Sequence, residues 1–142
     1  MATVMVVDTD RKSAAVTRSE LEKAGHRVLV ARDGLSAMDM IEDEEPDVLV
    51  TIVSVAGVEL DDLLRKASNH DTGIVVQTNH GRYPPPDVLW LVDSVVKKGN
   101  FTELRDEVGK AASLHAGERA VDWDAVAMAD SSMVPLDGDD IE

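Results

Sequence analysis

The sequence predicts an α/β domain in which a parallel sheet of five strands is covered by helices on both faces. Short, valine-rich apolar runs alternate five times with segments of helical periodicity over residues 1–114. The strand-like runs are almost wholly apolar, which is typical of strands buried on both faces. Right-handed crossovers are expected to join successive strands, because the connecting segments are long enough to be helices.

The first half of the chain contains three predicted strands and two predicted helices. The strands are residues 3–7, residues 27–31 and a run within 46–57. The first helix covers residues 10–24, and Gly25 follows it as a left-handed terminal residue. The second helix begins after Asp33. Their apolar faces consist of Ala14, Thr17, Leu21 and Ala24 in the first helix, and Leu35, Met38 and Ile41 in the second.

The second half continues the alternation but contains a run of three prolines. Leu60, Leu63, Leu64 and Ala67 have the spacing of an amphipathic helix. A fourth strand is predicted at 74–78, a short helix at 87–92 after the prolines, and a fifth strand at 94–97. Asn100 and Glu103 have the spacing of a capping pair for the last helix.

Composition excludes several classes of function. The 28 acidic residues outnumber the 14 basic ones, giving a net charge of −14, which disfavours direct binding of nucleic acid. An acidic surface is typical of salt-adapted (halophilic) proteins and equally of ordinary acidic ones. There is no cysteine, and no apolar run reaches the ~20 residues needed to span a membrane. Without a cleavable leader pattern at the start, we expect a cytoplasmic protein.

The last 28 residues differ in character from the rest. Residues 115–142 carry a net charge of −7, half of the total, and lose the strand and helix periodicity. We therefore predict a domain at 1–114 and an acidic tail at 115–142 that is flexible or partly docked. Residues 120–126 could form a helical turn, and Trp123 could anchor the tail on the body.

Parallel sheets covered by helices on both faces bind ligands at the carboxyl ends of their strands. The residues at these predicted ends are Asp8, Ile52, Thr78 and Lys97. With them, the chain resembles a response-regulator receiver domain over residues 3–113. The residues that carry the resemblance are Val6-Val7-Asp8-Thr9-Asp10, residues 31–37, Pro46-Asp47-Val48-Leu49-Val50, Gly57, residues 63–65, Thr78 and Lys97. The resemblance implies a flavodoxin-like sheet with strand order 2-1-3-4-5.

The resemblance also implies a chemistry that this chain has lost in part. In that family, carboxylates hold Mg²⁺, one of them accepts a phosphoryl group, and a hydroxyl and a lysine contact it. Here the acceptor position, counted from Pro46 and from Gly57, is Ile52, whose alkyl chain cannot accept phosphate. The second acid is replaced by Thr9.

The remaining positions of that site are expected to be remnants. Asp8 is a weak metal candidate on its own, so no Mg²⁺ or other cofactor is expected. Thr78 and Lys97 occupy the phosphate-contact positions. We expect Asp8 and Lys97 to pair with each other, and Ile52 to help close the pocket.

The resulting hypothesis is an atypical receiver, or pseudo-receiver, of a two-component system. It would be no enzyme but a phosphorylation-independent protein-interaction module in signal transduction. Its partner would be a histidine kinase or another signalling protein, or a second copy bound through residues 82–113. The predicted interaction face contains Val88, Trp90, Val95 and Lys98.

Two alternatives remain open from the sequence. The first is a receiver switched on another residue, such as Ser54, or by a ligand in the old pocket, which requires an open polar cavity beside Asp8 and Lys97 that Ile52 does not fill. The second is a flavodoxin-like small-molecule binder without signalling ancestry. It would need a glycine-rich first loop, and residues 8–12 contain no glycine.

Overall fold

Five parallel strands form one sheet in the order β2-β1-β3-β4-β5. The computed structural model describes residues 2–79 and 81–120, the last six of them as backbone only. The strands are β1 (Thr3–Val7), β2 (Arg27–Ala31), β3 (Val48–Ile52), β4 (Gly73–Thr78) and β5 (Ser94–Lys97). The predicted fold class, strand order and flavodoxin-like topology are thereby confirmed.

Helices cover both faces of this sheet. They are α1 (Arg11–Lys23), α2 (Gly34–Glu44), α3 (Leu60–Asn69), a 3₁₀ helix (Pro86–Leu91) and α4 (Phe101–Ala120). On one face, Leu21 of α1 and Leu104 of α4 pack in a core with Val50. On the other face, Ile41 of α2 and Leu63 of α3 pack with alternate strand residues. The sheet is therefore buried on both sides, as its apolar strands predicted.

Polar residues at the helix starts fix where the elements begin. The carboxylate of Asp10 accepts hydrogen bonds from the backbone N–H groups of Lys12 and Ser13. The side chains of Asp33 and Asn100 accept equivalent bonds at the starts of α2 and α4. These bonds satisfy N–H groups that have no partner inside a helix.

The last helix extends beyond the predicted domain boundary. Helix α4 continues to Ala120, six residues past residue 114, so its backbone does not change character at that boundary. Residues 121–142 lie outside the described part of the chain, and so do the predictions for that part of the tail and for Trp123. No helix within the described residues is long and apolar enough to cross a membrane.

The sheet register brings several strand ends to one edge. Val7 pairs with Thr51, so Asp8 and Ile52 follow at neighbouring positions. Ile52 in turn pairs with Gln77, and Thr78 pairs with Lys97. Because the strands are parallel, all of these carboxyl ends meet at the same edge, which is where doubly wound sheets place their sites.

Candidate functional site

The edge contains a buried carboxylate paired with a lysine. Asp8 follows β1 and is 1% exposed. Its Oδ1 accepts a hydrogen bond from the backbone N–H of Asp10 at 3.0 Å. Its Oδ2 lies 3.1 Å from Nζ of Lys98, whose side chain is 21% exposed. Oδ2 has no well-aligned hydrogen-bond donor among the described residues, so the contact is an ion pair by distance. Burying a carboxylate without a countercharge is costly, and the ion pair with Lys98 offsets part of that cost.

The expected pair between Asp8 and Lys97 is wrong, because the two lysines point in different directions. Lys97 is the last residue of β5, pairs with Thr78 and is exposed. The backbone N–H of Lys98 donates to the carbonyl of Thr78 at 2.7 Å, one residue beyond the strand. Side chains alternate between the faces of a strand. A shift of one residue therefore directs Lys98, and not Lys97, towards Asp8.

Ile52 borders an open cavity of about 400 Å³ at this edge. Ile52 is half-buried at the end of β3 and forms part of the wall. The cavity is lined by Ile52, Val53, Ser54, Gln77, Asn79, Arg82 and Lys98. Asp8 is not among the residues that line this cavity, so the expectation that Ile52 would help close the pocket at Asp8 stays a prediction.

Gln77 is the residue of this cavity that sequence reasoning missed. It lies in β4 opposite Ile52 and is only 2% exposed. Neither its Oε1 nor its Nε2 has a hydrogen-bond partner among the described residues. The signal was present in the sequence, since Gln77 is the only amide side chain in the otherwise apolar or hydroxylic strand Gly73–Thr78.

Thr78 and Lys97 lie together, but away from Asp8 and Ile52. They line a separate cavity of about 380 Å³ with Tyr83, Val95 and Glu103. Asp8 and Ile52 do not line it. The two predicted phosphate-contact positions therefore do not face the carboxylate they were expected to accompany. Thr9, the other member of the predicted acidic pocket, is exposed.

The predicted interaction face is only partly at the surface. Val88 is 1% exposed and belongs to the core, and Lys98 is held by Asp8, so neither is available as predicted. Val95 is half-buried. Trp90 is 72% exposed. With about three residues per turn, the 3₁₀ helix turns neighbouring side chains to different sides, so it buries Val88 while exposing Trp90.

Trp90 is held in place although it is exposed. Its indole N–H donates to the carbonyl of Asp87 at 2.9 Å. The guanidinium carbon of Arg65, on α3, lies 5.9 Å from the ring centroid, within range of a cation–π contact. The indole is therefore a fixed, exposed aromatic surface beside a positive charge.

The described residues contain no group of three His, Asp or Glu side chains placed to hold a metal ion. At Asp8, the nearby cation is the ammonium of Lys98. A single carboxylate is a poor site for Mg²⁺, which needs near-octahedral oxygen coordination.

Solved structures with this architecture include receiver domains. The signal receiver domain of a LuxO repressor protein from Vibrio parahaemolyticus has a TM-score of 0.76 and 17% identity, covering 85% of this chain and 97% of that one. The chain has the receiver fold. A CheY-like receiver domain from Methanospirillum hungatei has a TM-score of 0.73 and 20% identity, over 83% of this chain and 98% of that one.

A further structural neighbour is a response regulator protein solved in complex with Mg²⁺ and BeF. The response regulator TrrA from Thermotoga maritima, in complex with Mg²⁺ and BeF, has a TM-score of 0.71 and 23% identity, over 78% of this chain and 99% of that chain. At these identities the likeness concerns the fold.

Sequence comparison gives a weaker but concordant result. An 81-residue segment is 28% identical to the transcriptional regulatory protein CpxR of Escherichia coli K12. The segment is 57% of this chain and 35% of CpxR, so the chain matches about a third of that relative's length. No protein-family model matches the chain.

Proposed function

We propose that this chain is a signalling receiver that binds protein partners without being phosphorylated. The observation that carries the proposal is the ion pair between Asp8 and Lys98 beside an alkyl side chain at position 52. A phosphoacceptor must be an ionised carboxylate open to the donor. Here the carboxylate at this edge is buried and already neutralised by a lysine of the same chain.

The ion pair also argues against a phosphoryl-driven switch. In a switch of that kind, a new charge attracts groups on neighbouring elements and shifts a bistable face. Lys98, the cation that lies at this edge beyond β5, already contacts the end of β1 at 3.1 Å. Because no charge changes at this edge, the contact between Lys98 and Asp8 is maintained. A partner would therefore bind a surface that does not change.

The partner surface we propose centres on Trp90. Leu89, which precedes Trp90 in the 3₁₀ helix, is a second large exposed apolar side chain. Exposed aromatic residues beside an arginine are typical of protein interfaces, and Arg65 lies over the Trp90 ring. We propose a cytoplasmic signalling protein, such as a histidine kinase, as the partner. A second copy of this chain bound through residues 82–113 is the alternative occupant.

Phosphorylation is tested by incubating the full chain with acetyl phosphate and Mg²⁺ and measuring the intact mass. We expect the wild-type mass to stay unchanged. Ser54→Ala serves as the matched variant, because Ser54 is the hydroxyl residue lining the Ile52 cavity. A phosphoryl group that is added to the wild type but not to Ser54→Ala would establish the alternative site and overturn the proposal.

The partner surface is tested with immobilised full-length chain and a lysate of the native organism. We expect the wild type to retain a signalling protein, Trp90→Ala to lose it, and Val16→Ala to keep it. Val16 is a suitable control because it is an exposed apolar residue on α1, a different element. Sedimentation of the purified chain shows whether two copies associate, which distinguishes self-association from binding of another protein. Equal retention by both variants would place the interface elsewhere.

A further inference from the structure

The amide of Gln77 is a buried polar group without a partner. Its residue is 2% exposed, and both amide atoms lack hydrogen bonds within the described part of the chain. Leaving such atoms unsatisfied is costly, and native structures contain few of them. The other buried atoms in this condition are Oδ2 of Asp8, which has its ion pair, and Oγ of Ser94. Gln77 alone offers a donor and an acceptor side by side, and it lines a cavity.

That cavity has the size and the lining of a ligand site. Its volume of about 400 Å³ falls within the ~300–1,000 Å³ typical of small-molecule pockets. Ile52 and Val53 are its apolar lining residues, and Ile52 is the register partner of Gln77 on the neighbouring strand. A mostly apolar wall with a few convergent polar groups is the usual composition of such sites.

The charges at the cavity select for an anion. Arg82 lines it and forms no ion pair among the described residues. A backbone bond from the N–H of Arg82 to the carbonyl of Asn79, 3.1 Å long, fixes the turn that carries it. Lys98 contributes a second cation, and a lysine ammonium has three donors, of which Asp8 engages one side. No acidic residue lines this cavity among the described residues, although the net charge of the chain is −14.

We propose that this cavity binds a small anionic molecule whose other end carries a neighbouring hydrogen-bond donor and acceptor. Its acid group lies at Arg82 and Lys98, and its donor–acceptor edge pairs with the amide of Gln77. Carboxamides and nucleobases both present a hydrogen-bond donor next to an acceptor. A glutamine side chain can pair with either through two hydrogen bonds. The apolar part of the molecule contacts Ile52 and Val53.

This inference goes beyond the proposed function, since it makes the chain a receiver that senses a metabolite. It requires no covalent step and no protein partner. It can therefore fail while the interaction at Trp90 stands, and the reverse is also true.

The binding test uses the full chain labelled with ¹⁵N and three kinds of probe. The probes are N-acetylglutamine, the four ribonucleoside 5′-monophosphates, and inorganic phosphate as the plain anion, at constant ionic strength. We expect at least one of the first two kinds to give saturable shifts at residues 52–54, 77–79, 82 and 98, with a Kd of about 1 mM or tighter. Arg82→Ala should weaken the binding at least tenfold. Arg18→Ala, which removes an exposed arginine on α1, should not. Equal shifts with phosphate alone, or no saturable shift with any probe, overturn the proposal.

A second test asks whether the amide of Gln77 serves the fold. Gln77→Met keeps the length of the side chain but removes the amide. If the amide serves a ligand and not the fold, the melting temperature of the ligand-free variant should equal or exceed that of the wild type, while binding of the probe is lost. A clearly lowered melting temperature would assign the amide a structural role and overturn the inference.

Discussion

The ammonium of Lys98 reaches the buried carboxylate of Asp8, while the adjacent Lys97 points to another cavity. The two lysines differ by one position at the end of β5, and that position decides which of them belongs to the site. The ends of β1 and β5 in this receiver fold are thus connected by an ion pair. Its presence at an edge that lacks an aspartate at position 52 is the main argument for a receiver without phosphorylation.

Replacing Lys98 by Met should destabilise the fold, whereas Lys97→Met should not. The first change leaves the Asp8 carboxylate buried without a countercharge, which we expect to cost about 2 kcal/mol, less than a fully buried pair because Lys98 is partly exposed. Lys97 is exposed, so its replacement should change stability by less than ~0.5 kcal/mol. Urea unfolding of both variants measures the difference, and equal losses would disprove the assignment of the pair.

Placing an aspartate at position 52 should create a weak magnesium response. Ile52→Asp puts a second carboxylate beside Asp8, because Val7 and Thr51 are paired and these residues follow them. Two carboxylates can share a divalent cation, whereas one is a poor ligand set. We expect the melting temperature of the variant, but not of the wild type, to rise with added Mg²⁺. Ile52→Asn is the control without the charge. A rise of its melting temperature with Mg²⁺ would exclude binding of the cation by two carboxylates.

Two glycine-to-alanine changes should have opposite effects. A Cβ at Gly34 would lie 2.8 Å from Cβ of Val58, closer than side chains approach each other. We expect Gly34→Ala to cost about 1–3 kcal/mol through overpacking. At Gly109, inside α4, nothing lies within 4 Å of the added carbon. There alanine should stabilise the helix by about 0.5–1 kcal/mol. Denaturant midpoints for both variants test the local packing, and two changes of the same sign would contradict it.

Stability should fall as the pH drops below the ordinary pKa of histidine, in part because of His26. Burial lowers the pKa of His26 below 6.5, and its Nδ1 accepts a hydrogen bond from the backbone N–H of Ala2. The unfolded chain then binds the proton more readily than the folded one, so protonation favours unfolding. The contribution is complete above pH 6.5 and is lost as the pH falls towards the folded pKa.

The measurement is urea unfolding of wild type and His26→Asn at about pH 7.5 and about pH 5.5. We expect the variant to lose less stability between the two values than the wild type, since it has no group to titrate at this position. Other histidines and carboxylates change in both proteins alike and cancel in the comparison. An identical pH dependence would show that His26 is not involved.

The sequence was sufficient for the fold because the fold depends on many residues acting together. Five apolar strands and their intervening helical faces are repeated signals, and local hydrogen bonds at Asp10 and Asn100 confirm the predicted helix starts. Gly25, with φ of +94°, occupies the left-handed position expected after α1. The 3₁₀ form of the proline-led segment and the extension of α4 to Ala120 were not predicted from the residue pattern.

The geometry of the site depends on the register between neighbouring strands, which cannot be read from the residue pattern. The sequence by itself determined which residue types stand near the strand ends: Asp8, an alkyl residue at 52, and two consecutive lysines. Only the tertiary structure decided that Lys98 reaches Asp8, that Thr78 faces another cavity, and that Gln77 is buried with its amide unpaired. The physical reason is the two-residue period of a strand, by which a shift of one position moves a side chain to the opposite face.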